Sequence, residues 1–566
     1  MARIPYGVSS FSRLQKDNYI YIDKTKYIET LESYGEPYIF FLRPRRFGKT
    51  LFLSTLENYY DIQEKENFDR LFGDLYIGQN TTELANNYYI LKFDFSGVTT
   101  NSKSEMKRLF AQKVKKGIKS FVDKYDFDIN ISESEEAAGI IHDFNMEIAN
   151  KIRHQERKIY LLIDEYDHFA NDILGKDPDE FQEIVGQTGS IRIFFEAIKE
   201  ATADGIISRI FVTGVSPITL DSMTSGFNIA KNKTMDSNLN TMMGFTEKEA
   251  RYLIKETMPG YDFDSMLQRL KEYYDGYLFT HRANERVFNT DMLLYYVSEY
   301  LIDNTEPSEL IDSNISSDYS KLQNLFSLKD RKQNYEILED ILAGNDQRGK
   351  VTVEFNLQRR FSKKDFLSLL FYLGFLTIAR EEDGFIYFRV PNYAVKEIYF
   401  DYFNSIISEE TLFDSLEIEA SVVEILKNGD IKPFIEKVEA TLAALSNRDY
   451  IKFDEKYIKI LIFSYLNLTQ LSIVKSEYEV EEGYLDLALL RRNKKKGNFD
   501  ALIELKYIKA ADYREKGEAL VEQKLNEASE QLERYGRAAE FKDRKDLKKW
   551  ALVFTGTDAA AVKVIK

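Results

Sequence analysis

Residues 38–60 run from a short apolar stretch, YIFFL, through the loop RPRRFGKT into LFLSTLENYY, and few folds accept that order. YIFFL is too short for a helix and reads as a buried strand, while the ten residues after the loop suit a helix. A strand that drops through a tight loop onto a helix N-terminus leaves free backbone N–H groups and the positive end of the helix dipole facing one point, which is a phosphate cradle. Gly48 permits close backbone approach, Lys49 can reach the β and γ phosphates of a nucleotide, and Thr50 can offer its hydroxyl to magnesium. Arg45 and Arg46 are further candidates for phosphate contact. The general pattern begins with Gly, and Arg43 holds that place here, so on this loop alone a chance Gly-Lys-Thr remains the alternative.

A second strand bears on that choice. IYLLIDEYD is an apolar run ending in two acids, which puts Asp164 where a strand end can hold a magnesium shell and Glu165 where it can polarise an attacking water. Two more β-rich runs, YYILKFDF at 88–95 and RIFVTGV at 209–215, alternate with longer charged stretches at 104–124 and 181–203 that suit helices. Strand and helix in alternation predict an α/β domain, a parallel sheet covered by helices on both faces.

The chain has 566 residues, more than one core serves, so several domains are expected. With no cysteine and four histidines, disulfides, thiolate zinc sites and cysteine nucleophiles are excluded, and any metal must sit on oxygen ligands, as magnesium or manganese does. No signal-peptide core stands at the N-terminus and no run approaches the roughly 18 apolar residues of a membrane span, so a cytoplasmic protein without membrane contact is expected. A net charge of -16 argues against indiscriminate coating of nucleic acid and leaves room for a local basic groove. The 37 Tyr and 40 Phe read as core.

From about 245 to 405 the pattern turns mainly helical, opening at FTEKEA, where Thr246 is a cap candidate followed three positions on by Glu249, as a capping box needs. Lys452 to Leu468 reads as an amphipathic helix. YLDLALL and FDALIELKYI then read as two strands joined by the basic turn RRNKKKGN, followed by a long charged helix from about Tyr513 to Ala538 and a last strand, ALVFTG. On adjacent antiparallel strands Asp486 can face Glu504, and alternation puts Glu504 and Lys506 on one side with Leu505 in the core. Converging carboxylates and a lysine are what metal-dependent phosphodiester cleavage needs. The boundaries expected are 1–244, 245–440 and 441–566.

RPRRFGKT after a YIDKT segment, LLIDEYD, FVTGVSPI, TSGFN, GFTEKEA and YYDGYLF together resemble the bacterial AAA-ATPase-like family, which pairs a P-loop NTPase sheet and a helical lid with a C-terminal α/β domain of the PD-(D/E)XK nuclease superfamily. The resemblance spans essentially the whole chain and makes Arg43 a usual feature of the loop. It implies that Arg43, Arg45, Arg46, Gly48, Lys49, Thr50 and Asp164 bind ATP and magnesium, that Glu165 acts on water, and that Thr213 is a polar sensor of the γ-phosphate. It gives Asp23 and Lys24 no role beyond a turn. In the C-terminal domain it implies Asp486 and Glu504 as ligands of magnesium or manganese and Lys506 as the group that positions water, with Gln531 and Tyr535, four apart on one helix face, matching a QxxxY motif. An additional acid, Glu455, Glu477 or Glu482, stays open. The expectation is an ATPase whose nucleotide state controls a nuclease acting on nucleic acid, DNA before RNA, with a homo-oligomer left open. The alternative is an ATP-dependent switch whose nuclease-like domain is inactive and binds a partner; a helicase-like motor ranks last.

Overall fold

The computed structural model describes residues 3–98, 102–152, 155–168, 189–217, 227–258, 262–312, 321–326, 331–353, 355, 362–411, 414–445, 454–480, 483–492, 497–538, 541–542, 544, 546–556 and 558–565. The chain divides into two compact units, Met1–Lys329 with Arg348–Tyr393, and Asp330–Gln347 with Ala394–Lys566. Residues 245 to 329 therefore belong with the first unit, and the expected boundary near 440 falls inside the second.

In the first unit β1 (Tyr38–Leu42), β2 (Tyr88–Asp94), β3 (Lys158–Asp164), β4 (Ile207–Gly214) and β5 (Lys231–Asn232) form a parallel sheet in the order β2-β3-β4-β1-β5. The first four are near-continuous aromatic and branched residues because a parallel sheet buries both its faces; Leu161, Leu162 and Ile163 are fully buried. β5 is two residues long and has no such signature. The helix Lys103–Tyr125 packs on β2 and against the helix Ala137–Ile152, which also meets the helix Ser190–Ala203. Their shared core is aromatic: Phe95 stacks on Phe110 at 4.3 Å, and Phe194 meets both edge-on. Each such ring contributes about 2–3 kcal/mol by burial.

This strand order has a consequence for chemistry. β4 lies between β1 and β3, so the loop after β1, the end of β4 at Thr213 and Gly214, and the acids ending β3 all emerge side by side at the carboxyl edge of the sheet, where open α/β sheets bind ligands.

Thr246 and Glu249 form the expected capping box at the start of the helix Glu247–Thr257. The region is mainly helical, as expected, and also holds three short strands. β6 (Gln347–Gly349), β7 (Thr377–Glu382) and β8 (Phe385–Arg389) make a small sheet in the order β6-β8-β7, in which Asp383 and Gly384, both at positive φ, form the two-residue turn of a β-hairpin.

The second unit is built on a mixed sheet of β9 (Ser472–Val480), β10 (Gly483–Arg491), β11 (Asp500–Ile508), β12 (Leu547–Thr555) and β13 (Asp558–Ile565), ordered β13-β12-β11-β10-β9. β10 and β11 are antiparallel with Leu487 opposite Ile503, and β11 and β12 are parallel, so the chain between the latter pair crosses over as helix. That crossover is two helices, Ala510–Lys516 and Glu518–Tyr535, broken at Gly517 at φ 58°, where one was expected. Leu532, Ala528 and Tyr535 of the longer helix close a core with Leu485, Ala488, Leu502 and Ala551. β9 and β13 were not anticipated from the sequence. The helix Glu455–Leu466, capped by Asp454, buries every residue from Ile460 to Leu466, so it is a core helix and not the amphipathic one expected.

Candidate functional site

The loop after β1 turns through two left-handed residues, Arg46 at φ 68° and Gly48 at φ 86°, and Gly48 is the N-cap of the helix Lys49–Tyr60. The free N–H groups of that first turn face a cavity of about 430 Å³. Lys49 is buried and folds back to donate to the Pro44 carbonyl at 3.1 Å. Burial pulls its pKa down against the opposing charges of Glu165, Asp164 and Asp167, a group short of partners and suited to receive phosphate.

Asp164 is buried and accepts a hydrogen bond from the Thr50 side chain; burial raises its pKa to about 6. Thr50 and Asp164 thus form the hard-oxygen pair that a magnesium ion uses, and their donor set fits that ion. Glu165 stands at φ 51°, a strained position for a residue with a Cβ. Its carboxylate is paired with His168 Nδ1 at 2.9 Å. Burial would raise Glu165, but the His168 hydrogen bond and the Lys49, His168 and Arg45 charges prevail and hold it down at about 2. Glu165 and His168 both line the cavity, with Arg45 and Arg46. Arg46 is also bonded to Asp291 at 3.3 Å.

Sequence reasoning passed over Asp167 and His168, although both stand in the string DEYDH. Asp167 is buried and accepts from the Val215 and Ser216 N–H groups at 3.0 and 2.7 Å, tying the loop after β3 to the end of β4. This needs Gly214, since a Cβ there would stand 2.4 Å from the Asp167 carboxylate.

Two expected residues stand away from the cavity lining. Arg43 does not face the phosphate cradle: its guanidinium is buried between the Phe41 and Phe279 rings, 4.1 and 4.2 Å from their centroids, and donates to the carbonyls of Leu42, Thr234 and Leu239. It is a strut between β1 and residues 234–239. Thr213 is fully buried with its hydroxyl unpaired among the described residues, and it does not line the cavity. Asp23 and Lys24, for their part, do more than shape a turn. Asp23 accepts from Thr25 and from the Tyr76 N–H, and Lys24 donates to the Thr241 carbonyl at 2.9 Å and to Glu249 at 2.6 Å, which fixes the N-terminal segment against the capping box. That closes the apolar end of the cavity, where Val8, Ile20, Ile22, Met242, Met243 and Leu253 offer a slot for a planar base.

In the second unit Asp486 and Glu504 are both buried. Leu505 N–H donates to Asp486 Oδ2 at 2.8 Å, the Asp486 N–H points at Glu504 Oε2 at 3.4 Å, and Lys506 Nζ donates to Glu504 Oε1 at 2.9 Å. Burial and then the neighbouring Asp486 push Glu504 up to about 7. Burial works against the Lys506 ammonium, yet Glu504 outweighs it and raises Lys506. A residue not foreseen completes the cluster: Lys459, on the helix Glu455–Leu466, donates its ammonium to Asp486 Oδ1 at 2.6 Å and meets Glu455 at 3.2 Å. Of the three acids left open, Glu455 is joined to the cluster through Lys459; the side chain of Glu477 and all of Glu482 lie outside the described residues. Among the described residues no three carboxylates or imidazoles converge as a metal set. The Asp486 and Glu504 pair nevertheless fits magnesium or manganese, which bind through one or two carboxylates and otherwise keep water.

Tyr535 is not part of this cluster. It packs in the core, its hydroxyl 3.1 Å from the place a Cβ on Gly483 would take. Gln531 is half-buried, with its carbonyl oxygen unpaired among the described residues. Arg491, expected in a basic surface run, is an interior strut bonded to Asp500 and Asp546 with its side chain 4% exposed, and 493–496 lie outside the described residues.

A five-stranded parallel sheet with a phosphate loop after β1 and acids ending β3 defines a P-loop NTPase fold, and the carboxylate pair with Lys506 on β10 and β11 defines a nuclease-like α/β domain. The comparisons with known proteins agree: residues 5–224 match the family described as Predicted AAA-ATPase, and residues 453–563 match the PD-(D/E)XK nuclease superfamily. The chain carries an AAA-ATPase-like domain joined to a PD-(D/E)XK nuclease superfamily domain. A similar protein is the "Uncharacterized protein in vnfD 5'region" of Azotobacter chroococcum mcd 1, 26% identical over 316 residues. Those residues cover 55% of each chain, so the match spans about half the length of that relative. Among the described residues no helix is long and apolar enough to cross a membrane.

Proposed function

We propose that the chain binds and hydrolyses ATP in its first unit and that nucleotide state controls a metal-dependent nuclease in its second. The observation that supports this most is the convergence of Lys49, Thr50 and Glu165 on one cavity of about 430 Å³, with Asp164 bonded behind it to the Thr50 side chain, in an arrangement whose apolar end suits adenine. Lys49 and the first-turn N–H groups hold the β and γ phosphates, Thr50 and Asp164 hold the magnesium, and Arg45 adds positive charge at the rim. Magnesium, when bound, supplies charge neutralisation on the transferred phosphoryl group. Glu165, kept ionised by His168, orients the attacking water and takes its proton. Thr213 lies one strand over from Asp164 and serves at most as a buried support, given where its hydroxyl sits.

In the second unit Asp486 and Glu504 hold a magnesium or manganese ion that supplies Lewis acidity toward a phosphodiester. Lys506 lies on the same strand face as Glu504 and steadies the attacking water and the charge that develops on phosphate. Gln531, on the neighbouring helix, has an unspent acceptor for substrate.

ATP turnover and cleavage of single-stranded DNA, double-stranded DNA and RNA, measured in magnesium and manganese with and without nucleotide, test the reading together. Lys49→Ala abolishes ATP binding, whereas Glu165→Gln keeps binding and stops turnover. Asp486→Ala lowers cleavage by roughly a hundredfold or more, the scale of removing such electrostatic stabilisation. Cleavage that persists in chelator or in Asp486→Ala places the nuclease elsewhere, and cleavage indifferent to ATP and to Lys49→Ala refutes the control by nucleotide.

A further inference from the structure

All four carboxylate oxygens of Asp486 and Glu504 face a donor. Asp486 Oδ2 has the Leu505 N–H, Glu504 Oε2 faces the Asp486 N–H, Glu504 Oε1 has Lys506, and Asp486 Oδ1 has Lys459. Two of these donors are backbone groups of paired strands and cannot leave. Lys506 rises from the same strand as its partner. Lys459 alone comes from another element, the helix Glu455–Leu466, and its ammonium lies between Asp486 at 2.6 Å and Glu455 at 3.2 Å, with a carboxylate on each side, as a bound cation has.

We propose that Lys459 is a tethered cation that keeps the metal position at Asp486 closed, so that a divalent ion binds only by displacing its ammonium onto Glu455. This rests on the reading of Asp486 and Glu504 as metal ligands. The charge count favours displacement over coexistence: among the described residues, the carboxylates of Asp486, Glu504 and Glu455 and the ammonium groups of Lys459 and Lys506 sum to a formal −1. A divalent ion added with Lys459 in place would bring like charges within a few ångströms in a partly buried site, where their repulsion is several times that in water. Glu455 offers the landing place. It lies four residues before Lys459 on the same helix, so the two share a face, and with 44% of its side chain exposed it can hold the ammonium near solvent. The consequence is a nuclease site with a raised metal threshold, whose metal affinity is governed by one lysine and not by the two ligands alone.

The test is metal binding itself. Manganese binding to the full chain, followed by the electron paramagnetic resonance of free Mn²⁺ in the absence of nucleotide, is compared for wild type, Lys459→Met, Lys459→Arg, Asp486→Asn and the Lys459→Met/Asp486→Asn pair. Lys459→Met should tighten the Asp486-dependent site by roughly tenfold or more, the scale of removing one like charge a few ångströms from the ion, while Lys459→Arg stays near wild type. Lys459→Gln gives the same measurement should the Met variant lose its fold by circular dichroism. Equal affinity in wild type and the neutral variants, with dependence on Asp486 intact, overturns the role of Lys459 and leaves the metal site standing. No Asp486-dependent binding in any variant overturns the metal site, and the role of Lys459 with it.

Discussion

Replacing Arg43 by Met separates a strut from a phosphate ligand. In the structure the guanidinium gives hydrogen bonds of 2.9, 2.8 and 3.0 Å to the Leu42, Thr234 and Leu239 carbonyls and is flanked by Phe41 and Phe279. Burial lowers its pKa to about 9, so it stays charged at neutral pH. Three buried acceptors losing a charged donor cost roughly 1.5–3 kcal/mol each. Against this, the protein no longer keeps a charge out of water, which returns several kcal/mol, and a Met in the slot regains about 0.3–1.5 kcal/mol of sulfur–aromatic contact. The net is a loss of about 2–4 kcal/mol. Urea denaturation followed by far-ultraviolet circular dichroism should show it. Affinity for a fluorescent ATP analogue, measured on folded protein at low temperature, should stay within about threefold of wild type, less than 1 kcal/mol. Unchanged stability would refute the strut, and a loss of ATP affinity beyond about tenfold in a fully folded variant would show that the side chain reaches phosphate after all.

Three further outcomes concern the carboxyl edge of the same sheet. His168→Ala should leave ATP affinity unchanged and lower turnover by roughly tenfold to a hundredfold, because Glu165 then loses the partner that orients it; equal turnover would remove His168 from the mechanism. Gly214→Ala puts a Cβ 2.4 Å from the Asp167 carboxylate and 2.5 Å from the Tyr166 ring, so it should destabilise by about 1–3 kcal/mol and impair hydrolysis more than binding, as read by paired binding and turnover assays. Asp164, with a folded pKa raised to about 6 from 3.8, binds more protons folded than unfolded between those values. Its stabilising contribution is therefore full below pH 3.8 and is lost as pH rises through 6, a change of about 1–3 kcal/mol in metal-free protein. Asp164→Asn should flatten that slope in urea titrations across pH 4 to 7, and an unaltered slope would refute the assignment.

The parallel sheet was legible because buried parallel strands write themselves as unbroken apolar runs, as in Leu161 to Ile163, and because a phosphate loop needs Gly48, Lys49 and Thr50 in one unbroken string. The hairpin of β7 and β8 was equally legible, since Asp383-Gly384 between FIYF and TIARE is the strongest short hairpin signal, and it was passed over under the weight of the surrounding helices. Arg43 was misplaced for a different reason. Sequence order puts it in the same loop string as Lys49, six residues earlier, but a side chain at a strand end points to one face or the other, and only the fold reveals that the face carries Phe41, Phe279 and the 234–239 carbonyls.

Lys459 marks where periodicity stops carrying information. A helix that is apolar nearly all round, as Ile460 to Leu466 is, does not tell which of its flanks meets a sheet, so Lys459 cannot be assigned from sequence to an acid 27 positions later on β10. Yet the pairing is what decides the chemistry of the cluster. Two carboxylates beside one lysine leave a coordination face open to a divalent ion, whereas the same pair with Lys459 seated on Asp486 is closed until that ammonium moves. The same residue motif on β10 and β11 therefore supports an active nuclease or a quiet one, and the difference rests on a lysine outside the motif whose removal should change metal affinity before it changes anything else.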